Sequence, residues 1–492
     1  MPMLAGALVL VTSSVLATRM PVVSPNVDPD LNKPSVLLVT IDTLRADHVG
    51  VYGYANARTP NLDALANQGV LFRKTVAPTK LTGPSHASIL TGLGPEKHGV
   101  FLNNMHLPKS VPTLADTLKD NGYVTGAFVS AYTTRNGTCA LPSRFQYYDD
   151  EFNPHRIVFR EAFSKLLLLR PIMKFFQARG FDFSPAYRGA AQTADLAIEW
   201  IKGNGNQPFF LWVHLFDPHL PYRPPAEYLT DADRQYNGTV SGKWYSLDAT
   251  ERGKIVSSID DMERMIALYD AEIAYADDQV GRLIEAVRNT TTGSNLLIVV
   301  TSDHGETMGE HNIFFGRDLY DPTLLVPLII VMPDAGFQQA REVKEQVRLI
   351  DIAPTILAAL GLETPNFLDG RSLLDSIAKN IDTSSGPAYS FSNTRSNDFK
   401  RRSVSVRTGE WKLIHRSNGW QGGEGSPWVA EIKELYNLRD DPKEKNNIAA
   451  FASEQLHELE ENLSTHRKQN TVHQLELTDQ ELDRLRSLGY FR

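Results

Sequence analysis

Three short motifs carry residue types that handle charge. Asp42 follows directly on the apolar run from Val36 to Ile41, Asp303-His304-Gly305-Glu306 follows the run from Leu296 to Thr301, and Asp217-Pro218-His219 follows the run from Phe209 to Phe216. Carboxylate oxygens with an imidazole suit a divalent cation such as Ca²⁺, Mg²⁺ or Mn²⁺, and Zn²⁺ fits the same donors. One Asp in such a place reads as readily as a turn or helix-cap residue. Three delivered to one edge favour a metal. A fourth segment, Leu81-Thr82-Gly83-Pro84-Ser85-His86-Ala87-Ser88-Ile89-Leu90-Thr91-Gly92, enters on Gly and Pro and turns apolar, as a loop opening into a helix does. A helix start offers free N–H groups and positive dipole to an anion, with Thr82 as its hydroxyl. The plainer reading makes Thr82 a helix cap.

These residues need strands to deliver them. The runs at Val36, Phe209, Leu296 and Pro327–Val331 are continuously apolar and β-rich, the mark of strands buried on both faces. Helical patterns lie between them: Asn61 to Gln68 before Gly69, Pro112 to Asn121 before Gly122, and Ile352 to Leu360 before Gly361. The alternation predicts an α/β fold, a mostly parallel sheet sandwiched by helices, with ligands beyond the carboxyl ends of the strands. Near residue 380 the texture changes. Ser403–Arg407 and Trp411–His415 alternate around Thr408-Gly409 like antiparallel strands, and charge-dense helical sequence follows Phe451. The expected division is 1–34 as signal-like segment and linker, 35–380 as catalytic domain and 381–492 as a smaller α+β unit.

A length of 492 residues fits two such units. The net charge of −8 argues against a nucleic-acid partner. The single cysteine, Cys139, excludes an intrachain disulfide framework and a thiolate zinc cluster. Leu4 to Ala17 is apolar and small, so export is expected, to a periplasmic or membrane-associated location, although the first positive charge comes only at Arg19.

The Thr82 segment resembles the sulfatase signature of the alkaline phosphatase superfamily, a small residue, Cys or Ser, x, Pro, Ser, Arg, then an apolar pair, Thr and Gly. It matches at Pro84, Ser85, Ile89, Leu90, Thr91 and Gly92. Asp42-Thr43-Leu44-Arg45-Ala46-Asp47, Thr59-Pro60-Asn61-Leu62-Asp63, Asp217-Pro218-His219-Leu220-Pro221-Tyr222 and Ser302-Asp303-His304-Gly305-Glu306 resemble further blocks of that family, in its order. Leu435-Tyr436-Asn437-Leu438 with Asp440-Asp441-Pro442 resembles its C-terminal signature. The resemblance implies an ester-bond hydrolase, one divalent ion held by Asp42, Thr82, Asp303 and His304, and no organic cofactor.

The departures redirect the chemistry. Thr82 stands where the family has a Cys or Ser matured to formylglycine, and His86 where it has Arg. Gly122-Tyr123-Val124-Thr125 begins the second motif, but Val129-Ser130 replace Gly-Lys and Tyr132 the following His. Cys139-Ala140-Leu141-Pro142-Ser143-Arg144 nearly spells the signature with one residue too many, and Cys139 reads as structural. A formylglycine hydrate expels sulfate by collapsing to the aldehyde; a threonine cannot. It can carry a phosphoryl group that water or another acceptor later removes. In this the chain is similar to the lipoteichoic acid synthases and phosphoethanolamine transferases, and it echoes the two-metal nucleotide pyrophosphatases.

The expectation is therefore phosphate or phosphonate ester chemistry through Thr82, on a small-molecule, glycan or lipid substrate, by hydrolysis or transfer. An arylsulfatase-like hydrolase is the alternative, and a non-catalytic binding protein on the same fold is the other class. His219 is the candidate leaving-group acid. His86, Lys80 and Arg317 are candidates for holding the substrate anion, although each such residue is more often a solvated charge than a ligand. Asp217 and His311 are the ligand types available to a second ion or to the shell around the first. Basic and apolar residues alternate through 156–179, which suits either peripheral membrane contact or a cover over the sheet domain.

Overall fold

Strand β1, Ser35–Ile41, shows why the chain needs helices on two sides: all seven residues are buried. Val36 and Leu38 enter one apolar core, while Leu37, Val39 and Ile41 enter a second. Each such side chain contributes about 1.5–3 kcal/mol on leaving water, and a strand with two apolar faces collects this twice over. In this computed structural model the described residues are 21–23, 30, 32–136, 138–139, 141–151, 187–238, 240, 258–293, 295–314, 318–332, 340–378, 384, 386–393, 402–416 and 432–469.

The large sheet joins β1 to β2 (Val70–Val76), β3 (Val124–Val129), β4 (Tyr147–Asp149), β5 (Phe209–Leu215), β6 (Leu296–Ser302), β7 (Leu325–Val331) and β8 (Arg341–Arg348), in the order β4-β3-β5-β1-β6-β7-β2-β8. β7 runs antiparallel to both its neighbours and the other pairings are parallel. The second core holds α1 (Pro60–Ala66), α3 (Ala190–Asn204) and α4 (Ile259–Arg288) against one face; the first holds α2 (Thr82–Thr91) and α5 (Ile352–Ala359) against the other. This is the expected α/β sandwich.

Helix bounds follow local chemistry. The helix expected over Pro112–Asn121 spans Leu114–Asp120, because Thr113 and Asp116 exchange side-chain and backbone bonds as a capping box. Gly122 and Gly361, with φ of 86° and 67°, take the left-handed conformation that ends the helices before them.

A second sheet is antiparallel, in the order β12-β11-β10-β9, from β9 (Ala388–Asn393), β10 (Arg402–Arg407), β11 (Trp411–Arg416) and β12 (Ile432–Asn437). The hairpin expected around Thr408-Gly409 is closed by the Thr408 N–H on Trp411 O. The helix α6, Ser453–Gln469, packs Leu459 and Leu463 on it. Among the described residues no helix is long and apolar enough to cross a membrane. The expectations for the N-terminal segment up to residue 20 and for 156–179 lie outside the described residues.

Register fixes the functional edge. Ile41 lies opposite Leu215 on one side and Ser302 on the other, so β1, β5 and β6 end in line. The next residues are Asp42, Phe216-Asp217 and Asp303-His304.

Candidate active site

Asp42, Asp303 and His304 converge at that edge, with one donor atom from each lying within 4.8 Å of the others. His304 Nε2 stands 3.9 Å from Asp42 Oδ1 and 3.6 Å from Asp303 Oδ2. Thr43 carries the motif round its corner at a φ of 56°, a strained conformation for a β-branched residue. There its N–H donates to Asp303 Oδ1 at 3.2 Å, beside the His304 N–H at 2.9 Å. Ser85 Oγ donates to Asp303 O at 2.7 Å and ties α2 to the end of β6.

Both carboxylates are fully buried, yet Asp42 Oδ1, Asp42 Oδ2 and Asp303 Oδ2 have no hydrogen-bond partner. Burial and the Asp303 charge push Asp42 up to about 7, while His219 and His304 pull the other way. Burial also pushes on Asp303, but His304 holds it below its ordinary value. Three orphaned carboxylate oxygens in a buried site are costly unless a cation meets them. His304 completes the fit: its Nδ1–H donates to Gly305 O at 2.9 Å, which turns Nε2 toward the carboxylates and Thr82 Oγ1. The donor set thus fits one divalent ion, and among the described residues it is the one such group.

Thr82 is the first residue of α2, 4% exposed, with Oγ1 3.5 Å from His304 Nε2. The helix start is a poorer anion seat than its sequence suggests. Gly83 N–H donates to Asn103 Oδ1 at 2.8 Å, Pro84 has no N–H, and Ser85 N–H closes on Leu81 O.

The other candidates are placed as follows. His219 donates Nδ1–H to Leu220 O at 2.6 Å and packs its ring 4.7 Å from that of Phe216. His86 is wholly buried beneath the first turn of α2. Its Nδ1–H donates to Thr82 O at 2.7 Å, its Nε2 accepts from Thr40 Oγ1 at 2.9 Å, and burial brings it down to about 3. With both nitrogens engaged and no charge, it supports Thr82 and does not grip an anion, a correction to the expected role. Lys80 is half-buried and acts on Asp318. Arg317 lies outside the described residues.

Neither residue considered for a second ion joins the first three. Asp217 accepts the Ala190 N–H at 2.7 Å and so caps α3, while burial raises it to about 6. His311 stacks on Tyr320 with ring centroids 3.6 Å apart. Cys139 is buried, its Sγ donating to Thr134 O, with burial raising the thiol to about 12. Two residues escaped the sequence reading. Asn103 sits on a loop with no motif around it, and His214 hides inside the apolar run of β5.

Residues 34–362 match the family model described as sulfatase, and residues 309–472 that described as N-sulphoglucosamine sulphohydrolase, C-terminal. The uncharacterized sulfatase YidJ of Escherichia coli is 26% identical over 438 residues, covering 85% of this chain and 83% of that protein. The multifunctional alkaline phosphatase superfamily protein PehA of Trinickia caryophylli is 28% identical over 411 residues, 71% of this chain and 78% of that one. Among solved structures, the phosphonate monoester hydrolase of Agrobacterium radiobacter superposes with a TM-score of 0.68 at 24% identity, over 91% of this chain and 99% of that chain. A protein solved with its substrate D-glucosamine-2-N,6-O-disulfate also gives 0.68, at 21% identity over 89% and 98% of the two chains.

Proposed function

We propose, from the premise that this chain belongs to the sulfatase family, that it cleaves or transfers a phosphate or phosphonate ester through Thr82. The observation that carries the reading is the Thr82 hydroxyl, 3.5 Å from His304 Nε2 at the mouth of the Asp42–Asp303–His304 group. A divalent ion bound there supplies Lewis acidity, which lowers the pKa of a hydroxyl and draws charge off a phosphoryl oxygen. Asp42, Asp303, His304 and Thr82 are the residues that would hold it.

The chain's own residues do the rest. Thr82 Oγ, its proton passed to solvent water, attacks phosphorus, the ester oxygen departs with the bond electrons, and His219 Nε2, when protonated, gives that oxygen its proton. The phospho-threonine is then opened by water or by an acceptor hydroxyl, and Thr82 is restored. His86 steadies the nucleophile by gripping the Thr82 carbonyl, and Asn103 fixes the first turn through Gly83.

A sulfate ester is the second reading, favoured by the relatives named as arylsulfatases and by the sulfated sugar in a structural neighbour. Threonine weighs against it, having no aldehyde to form when sulfate leaves. The substrate is a small molecule, glycan or lipid ester, and the protein acts after export. The test is a panel of aryl phosphate monoesters and diesters, phosphonate esters and aryl sulfates, with divalent metals added to the wild type, Thr82→Ser and Thr82→Ala. Phosphorus esters should turn over, Thr82→Ser should retain a substantial part of the rate, and Thr82→Ala should lose it by at least about a thousandfold. Aryl sulfate turnover without phosphoester turnover would overthrow the reading.

A further inference from the structure

The corner that follows Asp42 spends three successive main-chain N–H groups on side chains. Thr43 N–H donates to Asp303 Oδ1 at 3.2 Å, Leu44 N–H to Ser302 Oγ at 3.0 Å and Arg45 N–H to Tyr269 Oη at 3.0 Å. Ser302 and Asp303 belong to the end of β6, so their bonds tie the corner to the motif that carries His304. Arg45 extends the tie past His304, its guanidinium donating to Glu306 O at 3.0 Å. Tyr269 comes from a separate element, α4. It gives its own proton to Thr43 O at 2.7 Å, so one hydroxyl closes on the main chain at both sides of Leu44.

Packing aims that hydroxyl. Tyr269 is wholly buried, and its ring meets those of Tyr222 and His48 in T-shaped contacts, with centroids 5.7 and 5.1 Å away. The grip matters because Thr43 holds a φ of 56°, which a β-branched residue keeps only where its surroundings hold it there. Asp42 depends on the same corner. Neither of its carboxylate oxygens has a hydrogen-bond partner, so the main chain sets where they stand. On one side that main chain is fixed by the Asp42 N–H on Leu215 O at 2.9 Å. On the other it is fixed by the corner.

We infer that Tyr269 is a positioning residue of the metal centre, its hydroxyl bracing the Thr43 corner so that Asp42 and Asp303 stand where one ion meets both. The inference rests on the metal reading of Asp42, Asp303 and His304. Tyr269 acts on the ion only through the main chain of Thr43 and Arg45, as the outer partners of metal ligands do.

The experiment titrates metal-free full-length protein with Mn²⁺ and reads free and bound ion by electron paramagnetic resonance. The wild type should bind one Mn²⁺, and Asp303→Ala should bind none at the same concentrations. Tyr269→Phe removes the hydroxyl and keeps the ring. It should bind one Mn²⁺ about ten- to a hundredfold more weakly, with an altered zero-field splitting. Tyr54→Phe takes the same atom from a hydroxyl bonded to Asp270 Oδ2 at 2.7 Å, away from the corner, and should bind as the wild type does. A folded Tyr269→Phe with wild-type affinity and line shape overturns the inference and leaves the metal reading standing. Failure of the wild type to retain any of Mn²⁺, Mg²⁺, Ca²⁺ or Zn²⁺ overturns the metal reading, and the inference with it. A second measurement needs no variant. A brace that favours the ion is itself favoured by the ion, so Mn²⁺ should slow amide hydrogen exchange at Thr43, Leu44 and Arg45 by at least about tenfold. Unchanged exchange there in the metal-loaded wild type overturns the inference even if Tyr269→Phe does not fold.

Discussion

At the scale of single residues, the chemistry turns on which nitrogen of each histidine is occupied. His304 and His219 both donate Nδ1–H to a main-chain carbonyl, Gly305 O and Leu220 O, yet they do different work. His304 Nε2 faces two buried carboxylates, whereas His219 is half-buried and packs its ring, tilted, on that of Phe216. As the leaving-group acid, His219 should matter most where the departing oxygen is most basic. His219→Ala should therefore slow an alkyl ester by about a hundredfold or more and an activated aryl ester only slightly. Paired kcat measurements on the two ester types check this, and equal losses would make His219 a binding or structural residue. Asp42, Asp303 and His304 were legible in the sequence because they follow recognisable apolar runs, and Thr82 because Gly83-Pro84 mark the entry to a helix. His214 was not. A lone polar residue inside Phe-Phe-Leu-Trp-Val-His-Leu gives no sign of its partners, and only the pairing of β5 with β1 brings it to Asp42.

At the scale of elements, strands were easier to foresee than the purposes of their end residues. Continuous apolar runs mark strands buried on both faces, and the four expected ones appear within a residue or two of their bounds. Side-chain chemistry at a strand end is ambiguous, because the carboxylate that binds metal also caps helices. Asp217 illustrates this by capping α3 through the Ala190 N–H. Burial raises its pKa from 3.8 to about 6, so the folded state holds the proton more tightly than the unfolded chain. The stability it contributes is full below about pH 4 and is lost as pH rises to about 6, a difference of about 3 kcal/mol. Asp217→Asn keeps an acceptor for Ala190 and removes the charge. Denaturant titrations at pH 4 and pH 7 should show stability falling less with pH in the variant than in the wild type. Identical pH dependence in the two proteins would refute the argument.

At the scale of the whole molecule, the second sheet buttresses the segment that leads into the nucleophile. Ser390 Oγ donates to Ala77 O and Phe391 N–H to Pro78 O, a few residues before Thr82. Lys412, on β11 and wholly buried, bridges Asp321 Oδ1 at 2.7 Å and Glu444 Oε1 at 2.6 Å, joining the second sheet to the segment that precedes β7. Lys412→Met should cost about 3–5 kcal/mol, because two buried carboxylates lose a counter-ion. Adding Glu444→Gln should recover part of that loss, and chemical denaturation of the single and double variants measures both. A loss below about 1 kcal/mol would show that Arg407, which also pairs with Asp321, carries the joint by itself. None of this joint was visible in sequence, since Lys412 lies in an alternating strand like any solvent-facing lysine. The account as a whole stands on Thr82 forming a bond to its substrate. Rapid quench of the metal-loaded wild type with an aryl phosphate ester or phosphonate ester that it turns over, followed by intact-mass measurement, tests that directly. The prediction is a mass increment of one phosphoryl or phosphonyl group located at Thr82 and absent from Thr82→Ala. Steady turnover with no adduct in the wild type, and near-normal turnover by Thr82→Ala, would contradict it.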